Sequence, residues 1–407
     1  MPSNKKKNIN DPLYGFLTLP FDILLDLIQH PYFQRLRNIK QLGLSHLVFP
    51  GATHTRLHHA LGALYLTSQA VLNLRLKGLD VSDEEFEAVC IAILLHDLGH
   101  GPFSHALEHS IVENQHHETI SLAMMHKMNL DFNGALGLAI EIFKGTYHKP
   151  FLHQLVSSQL DMDRLDYLRR DSFYTGVTEG IVSSDRIIKM LNVCDGNLVV
   201  EEKGIYSIEK FIVARRLMYW QVYLHKTVVA AEQLLILILK RAKELTHEGM
   251  QLFATEPLQY FLQRNESEQQ PTNFEASLEM FSRLDDSDII CSVKAWMRCG
   301  DFVLEKLCSQ LVARNLPKVI VQKEVFDAQV LLDLKLETAR KLNIDLSLAD
   351  YFVFTGVLEN HAYTDDKQAI LLQHKNGKLT DLAEASDNYN VHALMQIVRK
   401  HFLCFSK

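Results

Sequence analysis

The chain has 407 residues, of which 47% are hydrophobic and 22% charged, and its formal net charge is -7. This composition is typical of globular proteins and excludes a disordered or fibrous chain. The net acidity argues against a broad nucleic-acid-binding surface. The six cysteines show no CxxC spacing, which favours free buried thiols in a reducing compartment.

The N-terminus carries three consecutive lysines but no apolar segment behind them, so it does not have the pattern of a signal peptide. No uninterrupted apolar run reaches membrane-spanning length, since the run 227–240 contains Glu232 and Gln233. We therefore expect a soluble, cytoplasmic protein without a membrane partner, and nucleic acid is not expected as a partner either.

Apolar residues spaced three and four apart predict that roughly the first two hundred residues are helical. The predicted helices in this part and just beyond it cover 13–29, 32–42, 58–76, 86–95, 152–173 and 208–245, with another resuming from Ser104. Ser82, followed by acidic residues, is typical of a helix N-cap. Gly99, Gly101 and Pro102 break the chain shortly after His96-Asp97.

The pattern changes after Pro317, where short β-prone runs replace helical periodicity. These runs cover 318–322, 351–357 and 369–373, followed by a hairpin-turn signal at 375–378 and a closing helix around 391–402. The polar segment 265–273 predicts an exposed loop. We therefore expect a mainly α fold with a smaller C-terminal α+β portion.

Histidines are concentrated in one segment: ten of the 20 lie between His46 and His117. His96 and Asp97 follow an apolar helical run, and adjacent helical residues point about 100° apart. Both can reach one metal ion only where the chain bends, and Gly99 allows such a bend. Further ligands would come from His58 or His59 and from one of Asp161, Asp163 and Asp166.

The run LLHDLGHGPFSH, preceded by TRLHHALG and followed by LDMDRLDYLRRD, resembles the HD-domain superfamily of metal-dependent phosphohydrolases. It is similar in particular to the deoxynucleoside-triphosphate triphosphohydrolases, including the SAM-and-HD-domain dNTPase. The similarity extends from about Ile9 to Lys226. It implies an HD-domain helical core and hydrolysis of a dNTP, with dGTP suggested by relatives, to deoxynucleoside and triphosphate.

The expected organisation is an N-terminal helical segment with a candidate interface (1–50) and an HD phosphohydrolase core (51–260). A helical extension (261–316) and the C-terminal α+β region (317–407) follow.

The resemblance implies a divalent metal site formed by four side chains from three segments. The implied ligands are His59, His96, Asp97 and Asp163, with His58 as a neighbour of the site. Two imidazoles and two carboxylates suit Mn, Mg, Fe, Ni or Zn, and ligand type does not choose among them.

The resemblance also implies catalytic roles. His105 would be the in-line catalytic histidine, with Glu108 as its orienting carboxylate where the family has Asp. His100 and His117 would bind phosphate oxygens.

The segment after the last implied metal ligand predicts a substrate-binding helix face. Asp163, Tyr167 and Asp171 are four apart and share one face, and the family uses the latter two to contact the sugar 3′-hydroxyl. Asp166 and Arg170 are expected to form an ordinary salt bridge on another face. Further implied substrate contacts are Arg56, Arg164 and Arg215 for phosphate, Gln41 and Leu42 for the sugar, and Tyr223 beneath the 2′-carbon, where its ring would exclude a 2′-hydroxyl.

Many relatives are tetramers activated by nucleotides bound between subunits. The matching positions for such a regulatory site are Asn10, Gln34, Arg37, His225 and Lys226. Gln29 replaces the family's guanine-reading aspartate, and an amide cannot accept both guanine N–H donors equally well. An adenine nucleotide, or no activator, is therefore as consistent with the sequence as a guanine nucleotide.

Two other functions fit parts of the pattern. One is an HD phosphohydrolase acting on another nucleotide, such as a monophosphate or an alarmone. The other is a nucleotide-binding or nucleic-acid-binding regulatory protein with a vestigial site. Three arginines argue for a polyphosphate and Tyr223 for deoxyribose, while the complete ligand set argues against lost catalysis.

Overall fold

The computed structural model describes residues 7–103, 116–264, 274–360, 369–386 and 398–405. Within these ranges the fold is mainly α, with a smaller strand-containing C-terminal portion, as predicted. Helices α1 to α9 are Asp22–Gln29, Pro31–Gln34, Arg56–Leu76, Asp83–Leu95, His117–Asp131, Gly137–Phe143, Pro150–Val156, Met162–Thr175 and Ser184–Met190. Helices α10 to α17 are Ile205–Met218, Lys226–His247, Glu256–Gln263, Phe274–Ser282, Asp286–Trp296, Phe302–Val312, Ala328–Leu342 and Leu382–Ala385.

The strands of the described residues form three small sheets. They are β1 (Asn8–Asp11), β2 (Gly15–Thr18), β3 (Leu191–Cys194), β4 (Asn197–Glu201), β5 (Lys318–Gln322), β6 (Val353–Asn360), β7 (Leu371–Gln373), β8 (Leu379–Asp381) and β9 (Val398–Phe405). β1 and β2 pair as a hairpin, the second sheet has the order β3-β4-β7-β8, and the third has β5-β9-β6. β4 and β7 are parallel, and the other pairs are antiparallel.

Four predicted helices differ from the structure, one of them because residues 157–161 divide the stretch 152–173 into α7 and α8. Residues 13–18 belong largely to the β1–β2 hairpin, because Gly15 turns the chain with φ +76° and the helix begins only after Pro20-Phe21. The stretch 32–42 contains short α2 and a 3-10 turn at Arg35–Asn38, and the long stretch 208–245 is interrupted by a π-helical turn at Tyr219–Tyr223.

The predicted closing helix is also wrong over its described part, which is strand β9. β9 lies between β5 and β6, so its backbone groups are paired on both sides. This pairing joins segments far apart in sequence, and a local helical pattern does not reveal it. The predicted loop at 265–273 lies outside the described residues.

The sheet β5-β9-β6 is attached to the helical core through α11. Phe402 and Cys404 of β9 and Leu358 of β6 form a small buried cluster with Val229 and Ala230 of that helix. The C-terminal portion therefore packs on the same helix whose N-terminal part faces the cavity described below.

All six cysteines lie in the described ranges and are free thiols. Cys90, Cys308 and Cys404 are buried as predicted, whereas Cys194 and Cys299 are half-buried and Cys291 is exposed. No single helix among the described residues is long and apolar enough to span a membrane. The bent pair 202–223 and 226–247, with 57° between its parts, meets that criterion only when the two are taken together.

Arg35 connects the chain segments that surround His96-Asp97, which is called the HD motif below. Its buried guanidinium donates to the carbonyl oxygens of Leu98 at 3.1 Å, His100 at 2.8 Å and Leu284 at 2.8 Å. Burial lowers the pKa of Arg35 to about 9, because a charged group is costly away from water. The three carbonyl oxygens offset part of this cost by accepting hydrogen bonds from the guanidinium. The loop carrying His100 is thereby held against the helical extension.

Arg35→Lys is expected to lower the free energy of unfolding by roughly 2–3 kcal/mol, because an ammonium cannot reach all three carbonyls. Urea denaturation measures this change. Arg37→Lys is the matched control, since Arg37 is exposed and its Nε donates a hydrogen bond to the nearby Gln34. Equal losses in both variants would contradict the role given to Arg35.

Candidate active site

The first turn of α3 carries two adjacent histidines with different roles. The Thr55 backbone N–H donates to His58 Nδ1 at 3.2 Å, so His58 stabilises the start of the helix. His59 points inward and is completely buried. Of these two candidate ligands, His59 is therefore the one that reaches the interior.

The orientation of His59 is set by Asp166, which lies 2.8 Å from its Nδ1. A carboxylate accepts the proton on Nδ1, which leaves the lone pair on Nε2. Burial opposes a positive charge here, but Asp163 and Asp166 together raise the pKa of His59 to about 10. These carboxylates favour a positive charge at this position, which a divalent cation on Nε2 would supply in place of a second ring proton.

His96 is oriented by its own helix. It follows the last residue of α4, and its Nδ1 lies 2.6 Å from the carbonyl oxygen of Ile93. A carbonyl oxygen can only accept, so Nδ1 carries the proton and Nε2 carries the lone pair. The two imidazoles thus present the same kind of ligand atom.

These two nitrogens meet a carboxylate from α8. Asp163 Oδ1 lies 3.0 Å from His59 Nε2 and 3.7 Å from His96 Nε2, and the three ligand atoms lie within 4.8 Å of one another. Both Nε2 atoms are buried without a hydrogen-bond partner among the described residues. Two such lone pairs beside a carboxylate fit the first coordination sphere of a divalent cation.

Asp97 lies beside this group but is shared with a cation. Its Oδ2 accepts from Arg56 at 2.7 Å, and its Oδ1 lies 3.3 Å from His96 Nε2 and 3.2 Å from His100 Nε2. The predicted ligand Asp97 and the predicted phosphate contact Arg56 are therefore paired with each other. Burial and the charge of Arg56 lower the pKa of His100, so this imidazole is neutral near neutral pH.

Behind the metal site lies a buried chain of charges that the sequence did not reveal. Arg170 donates to both oxygens of Asp166, at 2.9 and 3.0 Å, and to Asp11 Oδ2 at 2.8 Å. The predicted Asp166–Arg170 pair thus exists, but it is completely buried rather than an ordinary surface bridge. Gly62 makes room for it, because a Cβ at that position would collide with Asp166 and Arg170.

Gly99 lies in the turn 96–99 that follows α4, as the predicted bend required, and it also serves close packing. Its Cβ would collide with the carbonyl oxygen of His117, and its N–H donates to Ser121 Oγ at 2.8 Å. The same hydroxyl donates to the carbonyl oxygen of His96 at 2.7 Å. The first turn of α5 is thereby fixed against the HD motif.

A cavity of about 880 Å³ adjoins the candidate metal site. The predicted site residues in its lining are Gln41, Leu42, Arg56, His96, Asp97, His100, His117, Asp163, Arg164, Tyr167, Asp171 and Tyr223. The cavity residues that sequence reasoning did not assign include Phe103, Glu118, Thr119, Lys144, His153 and Glu232. Arg215 is not part of the described lining, and it donates to Gln159 at 3.1 Å.

One side of the cavity is a rigid polar wall. The Tyr223 hydroxyl donates to Asp171 Oδ2 at 2.7 Å, and Asp171 Oδ1 lies 2.8 Å from His54 Nε2. Tyr167 lies one turn before Asp171, and its ring centroid is 6.3 Å from that of Tyr223. Both oxygens of Asp171 are thus used to hold neighbouring side chains.

Several predicted residues stay untested in their roles. His105 and Glu108 lie outside the described residues. The regulatory candidates Asn10, Gln34, Arg37, His225 and Lys226 are exposed or half-buried and do not line the cavity. Their role at a subunit interface remains a prediction.

Comparison with known proteins places this geometry in a family. Residues 56–171 match the HD domain, and residues 182–279 match the HD associated region. The crystal structure of a phosphohydrolase from Bacteroides thetaiotaomicron is 52% identical, covers 99% of this chain and 100% of its own, and has a TM-score of 0.94. The uncharacterized Bacillus subtilis protein YwfO is 34% identical over 77% of this chain and 71% of its own length. The chain belongs to the HD-domain family.

The HD-domain match includes the four predicted metal ligands, and HD domains bind divalent metal. A relative with a described activity is the Dictyostelium discoideum deoxynucleoside triphosphate triphosphohydrolase SAMHD1 homolog. It is 32% identical over 54% of this chain and 46% of its own length. This HD-domain protein therefore matches less than half of that relative.

In this HD-domain protein, Gly62→Ala is expected to displace the Asp166–Arg170 pair and with it the support of His59. We expect divalent-metal affinity to fall about 10- to 100-fold and the unfolding free energy to fall by roughly 1–3 kcal/mol. Isothermal titration with Mn²⁺ and urea denaturation measure the two effects.

Gly137→Ala is the matched control, because a Cβ there meets no atom within 4 Å. Metal affinity unchanged by Gly62→Ala would show that the buried pair does not position His59.

Proposed function

We propose that this HD-domain protein is a divalent-metal-dependent dNTP triphosphohydrolase, which converts a dNTP to deoxynucleoside and triphosphate. The observation that carries the proposal is one cavity that joins the candidate metal site to cationic groups and to the Tyr223–Asp171 wall. The activity named for the Dictyostelium relative supports the same substrate class.

The cationic part of the cavity suits a polyphosphate. Arg164 and Lys144 line it together with His117 and His153. Arg164 is braced by its hydrogen bond to the carbonyl oxygen of Ser158 at 2.6 Å. The single N–H of neutral His100 faces Asp97 Oδ1 at 3.2 Å, so donation to a phosphate oxygen would come from Nδ1 and would need a second proton on the ring.

The polar wall and the nearby Gln41 offer the contacts that a deoxyribose would need. The ring of Tyr223, fixed through its hydroxyl to Asp171, would occupy the space of a 2′-hydroxyl. Gln41 Oε1 is buried without a hydrogen-bond donor among the described residues, and it can accept a hydrogen bond from the sugar 3′-hydroxyl.

Hydrolysis at the α-phosphorus forms a bond to a water oxygen and breaks the bond to the 5′-oxygen, which then needs a proton. His59, His96 and Asp163, with Asp97, would hold the divalent ion, which when bound stabilises phosphoryl charge and lowers the pKa of water. His100 and His117 would orient the phosphate oxygens. His105 would protonate the 5′-oxygen, with Glu108 as its orienting carboxylate.

The same proposal includes assembly into a tetramer and activation by a nucleotide at subunit interfaces. Its residues would be Asn10, Gln34, Arg37, His225 and Lys226. Because Gln29 stands at the guanine-reading position, an adenine nucleotide, or no activator, is as consistent with this proposal as a guanine nucleotide.

The test is to incubate the protein with each of the four dNTPs, alone and in pairs, with Mn²⁺ or Mg²⁺. We expect free triphosphate and deoxynucleoside in equal amounts, and stimulation in mixed pairs if activation occurs. His96→Ala should reduce turnover at least about a hundredfold by removing a metal ligand. Release of pyrophosphate or orthophosphate instead of triphosphate would exclude the proposed reaction.

Discrimination against ribose tests the role of the Tyr223 ring. Tyr223→Ala is expected to raise kcat/KM for NTPs relative to dNTPs by about tenfold, because it opens the space of the 2′-hydroxyl. Tyr223→Phe keeps the ring and should retain most of the preference. If both variants discriminate like the parent protein, the ring does not exclude the 2′-hydroxyl.

A further inference from the structure

Glu232 is a carboxyl group in the cavity lining whose presence the reaction chemistry leaves unexplained. It lies on α11 between buried Val228 and buried Leu235, which are one turn before it and one turn after it on the helix. The same cavity is lined by Leu224 and Tyr223, just before this helix. Glu232 is thus an acidic residue within a mostly apolar part of the cavity.

Two side chains converge near Gly43 at this part of the lining. A Cβ on Gly43 would lie 3.9 Å from Glu232 Oε1 and 3.9 Å from Phe103 Cδ1. Gly43 directly follows Gln41 and Leu42, the predicted sugar contacts. A substrate with its sugar at those residues would therefore have its base within reach of Phe103 and Glu232.

Phe103 is held firmly in this place. Its φ of +48° is unfavourable for a residue with a side chain, and Asp286 Oδ1 accepts its backbone N–H at 3.1 Å. The other oxygen of Asp286 accepts the N–H of Lys40 at 3.0 Å. A fixed aromatic ring beside a carboxyl group offers both stacking and hydrogen bonding to a base.

The other carboxyl groups of the described lining already have roles. Asp97 and Asp163 belong to the candidate metal site, Asp171 holds His54 and Tyr223, and Glu118 is exposed at the start of α5. Glu232 has no hydrogen bond or ion pair with any residue in the described part of the chain. Close to a polyphosphate its charge would be repulsive, so a base is the suitable partner.

We propose that Glu232 recognises the base of the substrate and selects guanine. This inference rests on the proposed dNTP site. Two carboxylate oxygens match the adjacent N1–H and N2–H donors of guanine, whereas no other DNA base presents two neighbouring donors on that edge. The preferred substrate is then dGTP.

The protonation state of Glu232 depends on whether a base is bound beside it. Burial raises the pKa of Glu232 to about 8, so the empty cavity favours the neutral carboxyl. Two N–H donors stabilise the carboxylate and shift that balance. A neutral carboxyl, with one donor and one acceptor, does not match the two guanine donors.

Glu232→Gln tests the proposal because the amide keeps the shape but cannot accept twice. In the parent protein, kcat/KM for dGTP should exceed that for each other dNTP, and the variant should reduce this preference at least about tenfold. Binding of the four deoxynucleosides to metal-free protein should show the same loss of guanine selectivity. Glu248→Gln, at an exposed position after the same helix, should change neither result.

The two readouts separate this inference from the proposed reaction. Guanine-selective nucleoside binding that depends on Glu232, without dNTP turnover, would support base recognition and reject the reaction. Turnover of dNTPs with the same base preference in parent and Glu232→Gln would overturn base recognition alone. Absence of any guanine preference in the parent protein would also overturn it.

Discussion

The buried imidazole of His59 is the constraint on which the rest of the site depends. Its Nδ1 faces Asp166, so the only nitrogen that it can offer to a cation is Nε2. Asp166 is held by Arg170, and Arg170 is anchored on Asp11 in the β1–β2 hairpin. Buried hydrogen bonds between charged groups thus connect His59 through Asp166 and Arg170 to Asp11. They limit the orientation of the His59 ring far more than local helix geometry could.

The remaining geometry follows from how closely three chain segments approach that imidazole. Gly62 lets α8 lie against α3, and Gly99 lets the first turn of α5 lie against the HD motif. His96 then needs no partner from elsewhere, since its Nδ1 donates to a carbonyl of its own helix. Asp163 completes the group, and the cavity opens on the other side of it.

The sequence predicted the mainly α fold, the helices α3 and α4 and twelve of the 26 residues that line the cavity. Helical periodicity does not show that a second face of α8, the one with Asp166 and Arg170, is buried. The sequence therefore predicts only an ordinary salt bridge between these two residues. The signal for this burial that the sequence did contain was the three-residue spacing between Asp163 and Asp166, together with the glycine at position 62. The position of β9 and the pairing of Arg56 with Asp97 depend on contacts between distant segments, which local patterns do not contain.

The central claim is that His59 and His96 offer their Nε2 atoms to one divalent ion beside Asp163. Anomalous X-ray diffraction from crystals grown with Mn²⁺ tests it most directly. We expect one ion per chain at this site, about 2.0–2.3 Å from both Nε2 atoms and from a carboxylate oxygen. An ion bound elsewhere, or a site in which His59 and His96 do not coordinate it, would contradict the account.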